Sequence, residues 1–145
     1  MNKQQFQGHW NQIKGKLKEK FGKLTENDLM KIDGKKDQLI GKLETLYGTN
    51  REQIERQIRE IEFAFYAEEL RIHWEQLKGK LKQKWHDLTE DDIQRIKGNS
   101  DKLIAQLQQR LDLDKAEAEE EFHAFIDSLD LSREKVGASG REHRR

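Results

Sequence analysis

The chain has 145 residues, of which 39% are charged and 33% hydrophobic, and its 28 basic residues balance its 28 acidic ones. Because the net charge is zero, self-repulsion does not oppose folding, and a small core is expected. The absence of cysteine excludes disulfides and thiolate chemistry. No apolar run approaches the roughly 18 residues that span a bilayer, and the first residues lack the apolar segment of a signal peptide. We therefore expect a soluble cytoplasmic protein without membrane insertion.

The first predicted element is a helix near the N-terminus. Its apolar residues recur at steps of three and four, namely Phe6, Trp10, Ile13, Leu17 and Phe21. A second, shorter helix is predicted to begin at Thr25, because a hydroxyl there accepts from free backbone N–H groups and Asp28 suits the positive helix end. We expect this helix to stop near Gly34, where glycine takes the left-handed conformation.

A third and a fourth helix complete the first half. The apolar residues of the third are Leu39, Ile40, Leu43 and Leu46. The fourth is predicted to start at Asn50, with Gln53 three residues later in a capping-box pattern. Proline is absent and valine occurs once, whereas Leu, Lys, Glu and Gln are abundant, which favours helices over strands. The predicted fold class is all-α.

The same pattern is written a second time, 64 residues later. Residues 9–63 and 73–127 share 20 identities in 55 aligned positions without a gap. Two copies of one module are therefore predicted. They cover residues 1–66 and 67–131 and precede a disordered tail at 132–145. A single merged bundle is the alternative.

The junction between the copies carries no helix-stop signal. Residues 51–85 contain no proline, and their sole glycine is Gly79. The two modules are therefore predicted to be joined by one long, nearly continuous helix from about Asn50 to His86.

Three aromatic residues stand where the apolar spacing slips along this helix, namely Phe63, Phe65 and Tyr66. Because the buried face should rotate at such a slip, these rings are candidates for contact between modules or for a dimer seam.

The order of residues in the first half resembles the CsbD-like family of small bacterial general-stress proteins. The matching pieces are Gly8-x-Trp10, Lys14-Gly15-Lys16, Phe21-Gly22-x-Leu24-Thr25, Gly34-x-x-Asp37-x-Leu39 and Tyr47-Gly48. The resemblance covers residues 3–63 and, less closely, 72–127. It implies compact modules similar to two orthogonally packed helical hairpins. It also implies a stress-response role whose molecular mechanism is obscure for the family as a whole.

Lysines at every second position form the repeated charged feature of the first helices. They are Lys14, Lys16, Lys18 and Lys20 in the first copy, and Lys78, Lys80, Lys82 and Lys84 in the second. Basic helices can neutralise phosphates, so nucleic-acid or anionic-surface binding is one interpretation. A spacing of two, however, divides the lysines over both flanks of the apolar stripe, which favours a solvated face paired with acids.

Four aromatic residues and two glycines have a structural and a functional interpretation. The rings of Trp10, Phe21, Trp74 and Trp85 suit base stacking, but they lie on the apolar stripe, and we expect them in the core. Gly15 and Gly79 lie inside the first helix of each copy, where glycine costs about 1 kcal/mol relative to alanine. We expect another helix to pass close to each of them.

No motif indicates catalysis or metal binding. The five histidines form no pair four residues apart and no zinc-protease motif, and no pair of acids is singled out among 28. We expect no enzyme activity, metal, cofactor or small-molecule substrate. The predicted function is a non-catalytic stress-response protein, acting as a hydrophilic helper or an adaptor that binds protein partners, with self-association possible. The alternative is a nucleic-acid or anionic-surface binder that uses the repeated lysines.

Overall fold

The computed structural model describes residues 1–129, in which every regular element is a helix. The helices are α1 (Lys3–Gly8), α2 (Trp10–Lys20), α3 (Glu26–Ile32), α4 (Lys36–Tyr47), α5 (Arg51–Ile72), α6 (Trp74–Lys84), α7 (Glu90–Ile96), α8 (Ser100–Leu111) and α9 (Lys115–Ser128). The predicted all-α class is confirmed. The predicted tail at 132–145 and the last residues of the module predicted at 67–131 lie outside the described residues.

Helices α6 to α9 begin 64 residues after α2 to α5, and three of the four pairs also agree in length. Backbone contacts divide the chain into two compact units, Met1–Phe65 and a second unit that begins at Tyr66. In the first unit α1 packs against α2 and α4, and α3 packs against α4. In the second unit α7 packs between α6 and α8, and α8 contacts α9.

Each unit has a core of aliphatic and aromatic side chains at helical spacing. The fully buried residues of the first unit include Phe6, Ile13, Leu17, Leu39, Leu43 and Ile58. Those of the second include Leu70, Leu77, Leu81, Ile96, Leu103, Leu107 and Phe122. Of the four rings that also suit base stacking, Trp10, Phe21 and Trp85 are buried, and Trp74 is half-buried.

Local capping chemistry sets the start of the short helices. The Thr25 hydroxyl accepts from the Asp28 backbone N–H at 3.0 Å, and the Asp28 carboxylate accepts from the Thr25 N–H. Thr89 and Asp92 form the same reciprocal pair at α7. At α5, the Gln53 N–H donates to the Asn50 side chain at 2.9 Å. The predicted N-caps are confirmed.

Both units contain a one-residue break at a histidine. His9 separates α1 from α2 with φ −100° and ψ 9°, and His73 separates α5 from α6 with φ −101° and ψ 21°. The helix predicted to run from Asn50 to His86 is therefore found in two parts, Arg51–Ile72 and Trp74–Lys84. The junction itself is helical as predicted, but the helix ends where the backbone at His73 leaves helical geometry.

A left-handed turn packs against each break. Asp33 and Gly34 both have positive φ at the end of α3, and Lys97 and Gly98 repeat this after α7. Gly34 has φ +80°, and a Cβ there would lie 3.1 Å from Gln7 Cγ and 3.3 Å from the Cβ of Trp10, so glycine is strongly favoured at this approach. The predicted helix stops near these glycines are confirmed.

Candidate interaction surface

Helices α2 and α6 carry the repeated lysines on their outer faces. Ile13 and Leu17 of α2 are buried, as are Leu77 and Leu81 of α6, which fixes the inward side of each helix. All of the repeated lysines are exposed except Lys16, which is half-buried. The sequence-predicted lysines therefore lie around a buried apolar seam in both units.

Half of these lysines are neutralised by carboxylates of their own unit. Lys18 donates to Glu26 at 2.6 Å, and Lys82 donates to Glu90 at 3.2 Å, which ties α2 to α3 and α6 to α7 in the same way. The hydrogen bond from Lys18 holds the pKa of the Glu26 carboxyl below its ordinary value.

Two further lysines are paired within their units. Lys20 lies 3.0 Å from Glu60, and Lys78 lies 2.8 Å from Glu75. The other four, which have no ion pair within residues 1–129, are Lys14, Lys16, Lys80 and Lys84.

The glycines inside α2 and α6 face open space. A Cβ built on Gly15 or on Gly79 meets no atom within 4 Å. The prediction that another helix passes close to them is therefore wrong for the described residues. The close approaches occur instead at Gly34 and Gly98, because the turn after α3 or α7 meets the histidine break.

An open groove of about 810 Å³ runs between α6 and α7 in the second unit. Its lining residues include Trp74, Glu75, Lys78, Gly79, Lys82, Glu90, Ile93 and Lys97. The apolar part of the groove is formed by half-buried Trp74 and buried Ile93, and ion pairs form its rim. A smaller groove of about 540 Å³ lies between α7 and α8.

The aromatic residues at the predicted seam differ in their exposure to solvent. Phe65 is 3% exposed and lies against His9, with ring centroids 4.5 Å apart. Tyr66 is fully buried, whereas Phe63 is half-buried. The structure therefore presents no exposed ring at Phe65 or Tyr66 for a second molecule.

Tyr66 belongs to a partly buried polar cluster in the second unit that the sequence interpretation missed. Its ring stacks on His123 at 4.1 Å and 14°, and its hydroxyl donates to Asp127 at 2.7 Å. Burial lowers the pKa of His123 to about 4, although the charge of Asp127 acts in the opposite direction. His123 and Asp127 stand four residues apart, which is the signal in the sequence that they share a helix face.

Each unit also buries a carboxylate that pairs with a lysine or an arginine. In the first unit Glu62, 3% exposed, accepts from Lys36 at 2.7 Å. In the second unit Asp92, 1% exposed, accepts two hydrogen bonds from Arg110, at 2.9 and 3.1 Å. The hydrogen bonds from Arg110 hold the pKa of Asp92 below its ordinary value. In both units the positive charge of the partner compensates the charge of the buried carboxylate.

Within residues 1–129, no group of three or more His, Asp or Glu side chains is arranged to hold a metal ion. In the same part of the chain, no helix is both long and apolar enough to cross a membrane.

The structure places the chain in the class of small all-helical proteins whose short helices are capped by their own side chains. Residues 4–56 match the family described as CsbD-like. The chain is 50% identical over 62 residues to the UPF0337 protein pc0632 of Protochlamydia amoebophila, which covers 43% of this chain and 94% of that relative. The chain belongs to the CsbD-like family, as the resemblance in its sequence implied.

Alignments with other relatives also cover about half of this chain and most of the relative. The chain is 43% identical over 74 residues to the UPF0337 protein ECA0631 of Pectobacterium atrosepticum, with 51% of this chain and 100% of the relative covered. It is 48% identical over 58 residues to the UPF0337 protein YjbJ of Escherichia coli, with 40% and 84% covered. No solved structure matches the chain at a significant level.

Proposed function

We propose that this chain is a non-catalytic stress-response protein of the CsbD-like type that acts in the cytoplasm by binding protein partners. The stress role comes from the family resemblance. The binding role is supported by the distribution of side chains, because most large apolar side chains fill two small cores and the outer faces are charged. Units of this size have few apolar side chains left to enclose a reaction cavity.

The pairing of the repeated lysines is the observation that favours a protein partner over a nucleic acid. Lys18, Lys20, Lys78 and Lys82 each donate to a carboxylate of their own unit. Nucleic-acid affinity depends largely on unpaired cations that replace the counterions of phosphates. A surface that alternates cations and anions is instead complementary to the mixed charges of protein surfaces.

We also propose that the second half of the chain is a second CsbD-like module, produced by tandem duplication. The repeated helix starts, the capping pairs at Thr25 and Thr89 and the breaks at His9 and His73 support this proposal. Each relative described above also aligns with about half of the chain or less. Two modules on one chain offer two binding surfaces, which increases avidity for a repeated or extended partner.

The proposal is tested by affinity capture of the full chain from stressed cells, with and without nuclease treatment. We expect defined proteins to stay bound after nuclease treatment. Loss of all captured material on nuclease treatment would contradict the adaptor function.

The alternative, a nucleic-acid or anionic-surface binder, rests on the repeated lysines of α2 and α6, four of which have no ion pair within residues 1–129. It predicts salt-dependent binding of duplex DNA or RNA. This binding should be lost when Lys14, Lys16, Lys78 and Lys80 are replaced by glutamine. A quadruple variant that binds as the parent chain does would reject the alternative.

A further inference from the structure

The groove between α6 and α7 is lined in part by a glycine, Gly79, for which its own unit gives no packing reason. Gly79 lies within α6, is exposed, and has open space where a Cβ would stand. Alanine at such a position would stabilise the helix by about 1 kcal/mol. A glycine inside a helix does, however, let a second backbone approach more closely than any other residue permits.

The charges beside Gly79 specify what can approach it. Glu75 stands four residues before the glycine and Lys82 three residues after it, and all three line the groove. If a second α6 crosses the first in the antiparallel direction at Gly79, the acid of each helix meets the base of the other. Two-fold symmetry makes this complementary contact twice.

We propose that two copies of the chain associate through this groove, with their α6 helices antiparallel and crossing at Gly79. Half-buried Trp74 supplies apolar surface in the same groove. The Glu75 and Lys82 side chains exchange their contacts within the unit for contacts with the second copy. This inference goes beyond the proposed function, because it needs no other protein.

The first unit provides an internal comparison. Gly15 of α2 corresponds to Gly79, and it too is exposed and has open space where a Cβ would stand. Asn11, however, takes the place of Glu75. Two α2 helices crossing at Gly15 would therefore bring Lys18 of each copy opposite an uncharged residue. The charge pattern selects α6 and not α2.

The predicted dimer is weak. A single pair of crossing helices with their flanking residues buries less than the roughly 1,200 Å² typical of stable complexes. We therefore expect a monomer–dimer equilibrium that is visible between about 10 µM and about 1 mM protein.

Sedimentation equilibrium of the full chain and of two matched glycine variants tests the proposal. Gly79→Leu fills the crossing point and is expected to raise the dimer dissociation constant at least about tenfold, which corresponds to about 1.4 kcal/mol. Gly15→Leu makes the same change at the equivalent exposed position and is expected to leave the constant unchanged. Circular dichroism establishes that both variants keep the helical content of the parent.

A second experiment reverses the charges at positions 75 and 82. Glu75→Lys and Lys82→Glu each place like charges together and are expected to weaken the dimer, whereas the double variant restores opposite charges and is expected to recover it. A chain that stays monomeric at the highest concentration would overturn the proposal. So would equal effects of the two glycine variants, or a double variant no better than the single ones. Duplex DNA that binds the parent but not Gly79→Leu would likewise assign the groove to a different occupant.

Discussion

Protonation of His123 is expected to destabilise the second unit at mildly acidic pH. The ring is stacked on Tyr66 and largely removed from water, and this burial lowers its pKa from 6.5 to about 4. Since the unfolded chain binds the proton more readily than the folded chain, stability is complete above about pH 6.5 and falls as the pH decreases toward 4. This gap in pKa corresponds to a loss of about 2 kcal/mol between pH 7.5 and pH 5, and of about 3 kcal/mol in full.

Urea unfolding followed by tryptophan fluorescence measures this loss. In a Trp10→Phe background the remaining tryptophans, Trp74 and Trp85, both belong to the second unit and report on it alone. Most of the response of Asp92, whose pKa is lowered, falls below about pH 4.5, so the window from pH 7.5 to pH 5 avoids most of it.

The matched variant is His123→Phe, which keeps a ring beside Tyr66 but cannot bind a proton. Its unfolding free energy should change by about 2 kcal/mol less than that of the parent over the same window. Equal pH dependence of the parent and the variant would refute the assignment of the loss to His123.

Further substitutions test the local structure of the second unit, each by the same urea titration at neutral pH. Thr89→Ala removes the α7 cap and should cost about 1 kcal/mol, and an unchanged midpoint would contradict the capping role. Gly98→Ala should cost about 1 to 2 kcal/mol, because φ is +79° and the new Cβ would lie 3.4 Å from a Trp74 side-chain atom. Gly79→Ala, in open space, should instead stabilise by about 1 kcal/mol. Asp92→Asn leaves Arg110 without its carboxylate and should cost about 2 to 3 kcal/mol; a neutral result would show that the pair is dispensable.

Structural features that depend only on residues close together in the sequence could be predicted. The Thr25 and Thr89 caps each require only a hydroxyl and an acid three residues later, and helical spacing correctly identified most of the core. The lysine rows were likewise visible as a pattern of alternate residues.

The breaks at His9 and His73 could not be predicted in the same way. The apolar stripe continues through a one-residue interruption with its spacing intact, so periodicity shows no signal there. What lies against each break is the turn at Gly34 or Gly98, some 25 residues away in sequence. Sequence alone does not give that tertiary contact.

The prediction that another helix passes close to Gly15 and Gly79 was wrong for a related reason. A glycine inside a helix is found either where another element packs closely against it or on an exposed face where nothing packs. The sequence does not distinguish these two cases. The buried pair of Lys36 with Glu62 is similarly invisible, because its partners lie 26 residues apart and neither residue type is usually buried.

The most direct test of the binding function is photocrosslinking of the full chain in stressed cells, with a photoreactive residue in place of Lys80. This position is exposed on α6 and has no ion pair within the described residues. If the chain binds protein partners, crosslinked products of defined polypeptide mass should form and survive nuclease treatment. Products that consist only of nuclease-sensitive adducts would contradict this function.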